Sequence, residues 1–173
     1  MFSMCQITLR QWRDSDLEPY AAMNADPEVM RYFPSLLSCE QSEALLTRQR
    51  TLIEQRGWGL WALDVDGVFA GFTGLAVPGF AAPFMPCVEV GWRLRREYWG
   101  QGVAYRGALQ ALDYGFRILE LAEIVSFTAA VNAPSRRLME RLGFVHDPAS
   151  DFEHPSISEG HELRHHVLYR KRA

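Results

Sequence analysis

The run Trp99-Gly100-Gln101-Gly102-Val103-Ala104 stands directly after a strand-like stretch and directly before a helical one. Two glycines let the backbone approach a ligand closely, and the free amides of a first helical turn, aided by the helix dipole, favour a phosphate or pyrophosphate. A plain glycine-rich helix entry has equal standing on this fragment alone, because short glycine motifs are common. Asn132 and Ser135 sit three apart at a strand-to-helix entry, where both side chains can cap the helix. Glu89 lies in the apolar strand-like run that Cys87 opens, where an inward-facing acid satisfied by an arginine is one reading and a group with a shifted proton affinity the other. A competing signal is His161-Glu162-Leu163-Arg164-His165, the His-Glu-x-x-His pattern of zinc hydrolases. That pattern needs a helix and a third ligand, yet the segment runs into the strand-like Val167 to Arg170.

The elements that must hold these residues follow from periodicity and punctuation. Ile7 to Arg10 alternates as a strand, and Asp14 stands as a cap before helically spaced Leu17, Tyr20, Ala21 and Met23. Asp26-Pro27-Glu28 predicts a short helix through Val29 to Phe33, stopped by Pro34. Ser38 with Gln41 predicts a capping box for a helix that runs to Gly57. Trp58 to Leu63 and Val68 to Leu75 read as strands joined by the hairpin signal Asp66-Gly67, and Cys87 to Leu94 as a buried strand after a loop from Val77 to Pro86. Ala104 to Leu121 predicts a long helix, Ile124 to Thr128 a strand, and Ser135 to Leu142 a helix closed by Gly143. Phe144-Val145 starts another strand, His146 to Gly160 reads as a loop, and Val167 to Arg170 closes the order. The result is an α/β domain on a mixed sheet, with Cys87 to Thr128 as a right-handed parallel crossover that leaves the helix N-terminus at the sheet edge.

The whole chain narrows the classes of function. Its 173 residues suit one domain, and 18 basic against 21 acidic residues leave a formal charge of −3, which gathers no nucleic acid. The absence of an apolar run of about 18 residues argues against a membrane span, and the N-terminal residues lack the character of a signal peptide, which points to the cytoplasm. Cys5, Cys39 and Cys87 are odd in number and widely spaced, as reduced thiols with packing roles are. A nucleophilic Cys87 has no evident partner base.

Four stretches taken together carry a family resemblance. Glu89-Val90-Gly91-Trp92-Arg93-Leu94, then "EYWGQGVA", then "NAPSRRLMERLGF" from Asn132 to Phe144 resemble the coenzyme-binding core of the GNAT superfamily of N-acyltransferases. "ITLRQWRDSDLEPYAAMNADPEVMRYFP", from Ile7 to Pro34, is similar to the start of the branch that includes the N-terminal acetyltransferases of ribosomal proteins.

The resemblance implies a single domain over residues 1–173. Its fold would be α/β (α+β), a twisted, mostly antiparallel mixed sheet of six to seven strands with a central splayed parallel pair and flanking helices. It implies acetyl-CoA as acyl donor and a primary amine, a protein N-terminus or a small molecule, as acceptor. Trp92, Arg93 and Leu94 would give backbone contacts to pantetheine, and Gly100, Gln101, Gly102, Val103 and Ala104 would cradle the pyrophosphate, with Arg96 adding charge or remaining a solvated loop arginine. Asn132 would bond the pantetheine arm. Ser135 would stand near the sulfur as proton donor to the leaving thiolate, because the position where many members carry a tyrosine is Met139 here; Tyr98 and Tyr105 are alternatives. Tyr105-Arg106 replaces the threonine and glutamate common at the start of the long helix. Glu89 would be the base, and a backbone amide near Gly91 or Trp92 the oxyanion donor. Trp12, Tyr32 and Phe33 would line the acceptor pocket, with Met30, Arg31 and Trp58 nearby. A catalytically inactive acyl-CoA-binding module is the alternative, ahead of a zinc hydrolase using His161, Glu162 and His165. The molecule would be a monomer or homodimer.

Overall fold

A computed structural model describes residues 5–173. Among the described residues eight strands join one sheet: β1 (Ile7–Arg10), β2 (Leu60–Val65), β3 (Val68–Ala76), β4 (Glu89–Leu94), β5 (Glu123–Ala129), β6 (Val145–His146), β7 (Phe152–Glu153) and β8 (His165–Arg172). Their order is β1-β2-β3-β4-β5-β8-β6, with β7 on β8. Every pairing is antiparallel except β4 with β5, as expected. The β2–β3 hairpin turns at Asp66 (φ 51°) and Gly67 (φ 82°), the left-handed pair that a two-residue turn requires and that Asp-Gly supplies at low cost.

Among the described residues four α-helices flank the sheet: α1 (Leu17–Asn24), α2 (Cys39–Arg56), α3 (Val103–Asp113) and α4 (Ala133–Arg141). The Ser38–Gln41 capping box forms with both reciprocal bonds, at 3.2 and 2.8 Å, and starts α2 where the spacing predicts. On one face of the sheet α3 and α4 bury Ala108, Ala111, Leu112 and Met139 against Leu75, Val90, Ile124 and Tyr169. On the other face α1 and α2 close over Trp12, Ala62 and Phe69. An aromatic cluster of Phe80, Phe84, Phe127 and Phe152 extends that second layer across β5 and β8. A buried network anchors β1: Arg10 donates to Asp16 at 2.7 and 2.8 Å and to Asp64 at 2.7 Å through both ends of its fork.

Four local expectations change. Asp14 is exposed and pairs with Arg50; the side chain at the start of this segment that accepts a backbone bond is Asp16, from Arg13 N–H. Residues 27–33 form successive turns and no α-helix: Asp26 caps as expected, receiving Glu28 N–H, but only Met30 returns a bond to the Asp26 carbonyl before Phe33 bonds Met30. The long helix ends as α3 at Asp113 and widens into a π-turn over Tyr114–Ile118, closed by Leu119 N–H to Tyr114 C=O. Within His146–Gly160, expected as loop, Phe152–Glu153 pairs with β8.

Candidate active site

The parallel pair at the centre parts almost at once. Glu89 opposite Val125 is its one register pair, with Val125 N–H donating to Val88 C=O. Beyond it, Ser126 Oγ donates to Val90 C=O at 3.0 Å, and the strands then diverge. Backbone groups alternate sides along a strand. Arg95 N–H meets Ala70 C=O and Thr73 Oγ donates to Gly91 C=O, so Gly91 and Arg93 turn their backbone to β3. Trp92 and Leu94 therefore turn theirs toward β5, where no ladder meets them. The register separates Arg93 from the other two residues expected to line this gap: its backbone is spent on β3, opposite Phe72.

The gap ends at the glycine-rich loop. Trp99 Nε1 donates to Leu94 C=O at 3.0 Å and folds the loop back over the end of β4. Gly100 and Gly102 lie in the left-handed region at φ 71° and 73°, and no atom stands within 4 Å of a Cβ built on either. Gly102 is the N-cap of α3 with no capping side chain, so the first amides of the helix are unpaired among the described residues. This is an open concave backbone surface of partial positive charge, and the site fits an anion. Arg96 is exposed and pairs with Asp26 at 3.4 Å, while Arg106 holds the N-terminal segment by donating to Cys5 C=O at 2.8 Å.

The α4 entry lies across the gap. Asn132, buried, caps α4 through Oδ1 to Ser135 N–H (3.3 Å) and donates from Nδ2 to Thr128 Oγ (2.9 Å). Ser135 Oγ accepts from Trp92 Nε1 at 3.3 Å, which joins α4 to β4 across the parting and leaves the serine O–H free to donate. Met139 is in the core at 1% exposure, in the buried cluster with Leu75, Val90 and Tyr169. Tyr105 lies beneath Arg141 and Tyr98 beneath Arg95, at 5.0 and 5.9 Å from their ring centroids.

Glu89, Gly91 and Arg93 face the α1–α2 side, because side chains alternate along β4. Glu89 is half-buried, and desolvation alone pushes its carboxyl up to about 8. Among the described residues no arginine or other side chain bonds it, so the structural reading of a satisfied inward acid is not met. Tyr32 packs with Ala129, Ile157 and Leu163, and Phe33, 38% exposed, covers the Arg93 guanidinium at 4.1 Å. Both aromatics thus roof the face where the strands part. Trp12 does not: at 3% exposure it stacks on Tyr20 and Phe69 and donates to Leu60 C=O at 2.7 Å, a core residue whose indole N–H is already used. Burial likewise pushes the Cys87 thiol up to about 11, which removes the thiolate a nucleophile needs.

The His-Glu-x-x-His stretch forms a turn and then the start of β8. His161 Nδ1 accepts from Leu163 N–H, and His165 bonds Glu153 at 2.9 Å. The helix that would put both imidazoles on one face is absent, because pairing of β8 with β5 claims His166 onward as strand.

This geometry matches a known family. The acetyltransferase (GNAT) domain family matches residues 6–145. A relative in Aspergillus fumigatus, FsC-acetyl coenzyme A-N(2)-transacetylase, is 31% identical over 156 residues, which cover 84% of this chain and 66% of that protein. Among solved structures, the ribosomal L7/L12 alpha-N-protein acetyltransferase RimL in complex with coenzyme A is similar with a TM-score of 0.73 at 18% identity, covering 99% of this chain and 96% of that one. The Salmonella typhimurium acetyltransferase yncA, solved with acetyl-CoA, is similar with a TM-score of 0.72 at 14% identity, covering 98% and 94%. The chain belongs to the GNAT acetyltransferase family, an acyltransferase family, and has its mixed, mostly antiparallel sheet with one parallel pair.

Proposed function

We propose that the protein transfers the acetyl group of acetyl-CoA to a primary amine by direct attack within a ternary complex. The observation that carries this reading is the parting of β4 from β5 directly in front of an uncapped α3 N-terminus: two unpaired strand edges meet a cluster of free amides. Solved relatives of the same fold hold coenzyme A or acetyl-CoA. In this chain Gln101, Gly102, Val103 and Ala104 would hold the diphosphate by backbone N–H, and Trp92 and Leu94 would bond the pantetheine amides in the manner of an added strand.

The remaining roles follow from where protons must go. The acceptor must lose a proton to be nucleophilic, and Glu89, on the acceptor-facing side of β4 with a carboxyl pushed up to about 8, is a base of suitable strength near neutral pH. As the amine adds to the thioester carbonyl, the oxygen gains charge, and Trp92 N–H, which points into the gap, is the donor placed to stabilise it. When the tetrahedral species collapses, the C–S bond breaks and the thiolate needs a proton. Ser135, its lone pair held by the Trp92 indole, is the donor at hand, and Trp92 orients it. No covalent intermediate on the enzyme is required. The tyrosine that many relatives place at position 139 would have no role here, since Met139 is wholly enclosed.

The test is a thiol-release assay with acetyl-CoA against a panel of amines and peptides beginning with different residues. Amine-dependent release with a matching N-acetyl product supports the reading. Coenzyme binding without release across the panel would favour the inactive binding module instead.

A further inference from the structure

Arg93 is a cation without an anion. It projects from β4 toward the α1–α2 layer on the same face as Glu89, and among the described residues no carboxylate lies within ion-pair distance of it. Among the described residues its one side-chain hydrogen bond is from Nη1 to Asn24 Oδ1 at 2.7 Å, and its buried Nε meets no partner there. Phe33 and Phe72 flank the guanidinium at 4.1 and 5.4 Å. Tyr20, the remaining polar neighbour, is held neutral, since burial raises its hydroxyl above the ordinary value. Desolvation correspondingly lowers Arg93 from its ordinary value. An aromatic clamp and one amide offset only part of the cost of a desolvated guanidinium. A planar fork with an idle donor is suited to a carboxylate, which it can bind in a bidentate manner.

The position tells what that carboxylate belongs to. Glu89 opposite Val125 is the one register pair, so Arg93 follows on β4 beyond the parting, as Ala129, packed with Tyr32, does on β5. The guanidinium lies on the α1–α2 side of β4, bonded to Asn24 and covered by Phe33, on the side that Glu89 faces; Arg96, whose partner Asp26 is two residues from Asn24, borders the same segment from the surface. Glu89 and Arg93 are four residues apart on one strand, about 13 Å. An acceptor that touches both must carry its amine and its anion well separated.

We propose that the acceptor is a primary amine bearing a carboxylate several bonds away, the amine directed to Glu89 and the carboxylate received by Arg93. This rests on the acetyl-transfer reading for the identity of the amine end, while the carboxylate end stands on Arg93 itself.

The experiment uses 6-aminohexanoate and its neutral twin 6-aminohexanamide, equal in length and differing in charge. Turnover is measured by thiol release, and binding by calorimetry with the protein saturated in coenzyme A. The acid is expected to exceed the amide by about tenfold or more in kcat/KM and in affinity, the scale of a charge-assisted bond at a partly desolvated site. Arg93→Gln should bring both ratios close to one, and Arg93→Lys, which keeps the charge but loses the fork, should retain part of the preference. Equal use of acid and amide by the unaltered protein overturns the proposal while leaving acetyl transfer standing. Turnover of neither compound, with acid-selective binding lost in Arg93→Gln, keeps the carboxylate site and overturns its assignment to the acetyl acceptor, acetyl transfer itself being decided on the wider amine panel. Failure of both compounds to bind, or loss of acetyl-CoA affinity in Arg93→Gln as large as the loss of selectivity, assigns the cation elsewhere and ends the proposal.

Discussion

Glu89→Gln tests the state of the buried carboxyl without requiring any turnover. In the folded chain desolvation holds this group at about 8, against an ordinary 4.5. Between those values the unfolded chain has released the proton and the folded chain keeps it, so the native state binds one more proton and stability falls as pH rises. At 1.36 kcal/mol per pH unit, the whole interval amounts to about 5 kcal/mol. Glutamine has the same shape and no proton to lose. The variant should therefore gain on the parent by about 1.4 kcal/mol for each pH unit, starting near the ordinary carboxylate value and levelling off above about 8. Urea denaturation of both proteins, free of coenzyme, from about pH 5 to about pH 9 measures this difference directly. Any fixed offset from the new amide drops out, because only the slope matters. Stability curves that run parallel across the range would refute the claim that Glu89 is desolvated and unpartnered.

Other consequences concern catalysis and the frame. With an acceptor already neutral in this range, such as a hydrazide, kcat/KM should rise with pH through about 8, and Glu89→Gln should abolish that limb while lowering the rate by about 10²-fold or more; a limb that persists in the variant removes Glu89 as the base. Gly102→Glu should raise the acetyl-CoA dissociation constant by more than about tenfold, because it sets an anion against the diphosphate site, and Gly102→Ala should have a smaller effect from backbone strain alone; unchanged affinity in the glutamate variant, read by calorimetry, contradicts the cradle. Ser135→Ala should reduce kcat by about 10²-fold with little change in coenzyme affinity, and an unaltered kcat excludes it as proton donor. Arg10→Met leaves Asp16 and Asp64 buried without a cation and should cost about 3–5 kcal/mol in urea denaturation; a loss near zero would show the network to be solvated.

Local features and the parallel crossover of β4 and β5 were legible in the sequence, and side-chain partners far apart in it were not. The Ser38–Gln41 box and the Asp66-Gly67 turn are decided within four residues, and each forms as its residue types require. The glycine-rich entry to α3 was equally readable, since its shape depends on two left-handed glycines and a missing cap. Arg93 was harder: grouped by sequence with Trp92 and Leu94, it is separated from them by strand alternation, and its partner Asn24 lies 69 positions away. Trp12 resembled a pocket aromatic because nothing near it in sequence reveals that Leu60 would take its N–H. Arg106, at the start of α3, bonds the N-terminal segment 101 residues earlier, a partner that nothing in its own sequence surroundings reveals. The Asp26-Pro27-Glu28 signal forms its cap, Asp26 receiving Glu28 N–H, but the segment then runs as turns in which Phe33 covers Arg93 and Asp26 meets Arg96, and no helix follows.

The central claim is spatial, and a crystal structure grown with excess acetyl-CoA tests it most directly. The expected result is the diphosphate against the amides of residues 101–104 and the pantetheine lying between β4 and β5, bonded by Trp92 and Leu94. Acetyl-CoA seated anywhere else, or β4 and β5 left parted and empty with the coenzyme in excess, would contradict it.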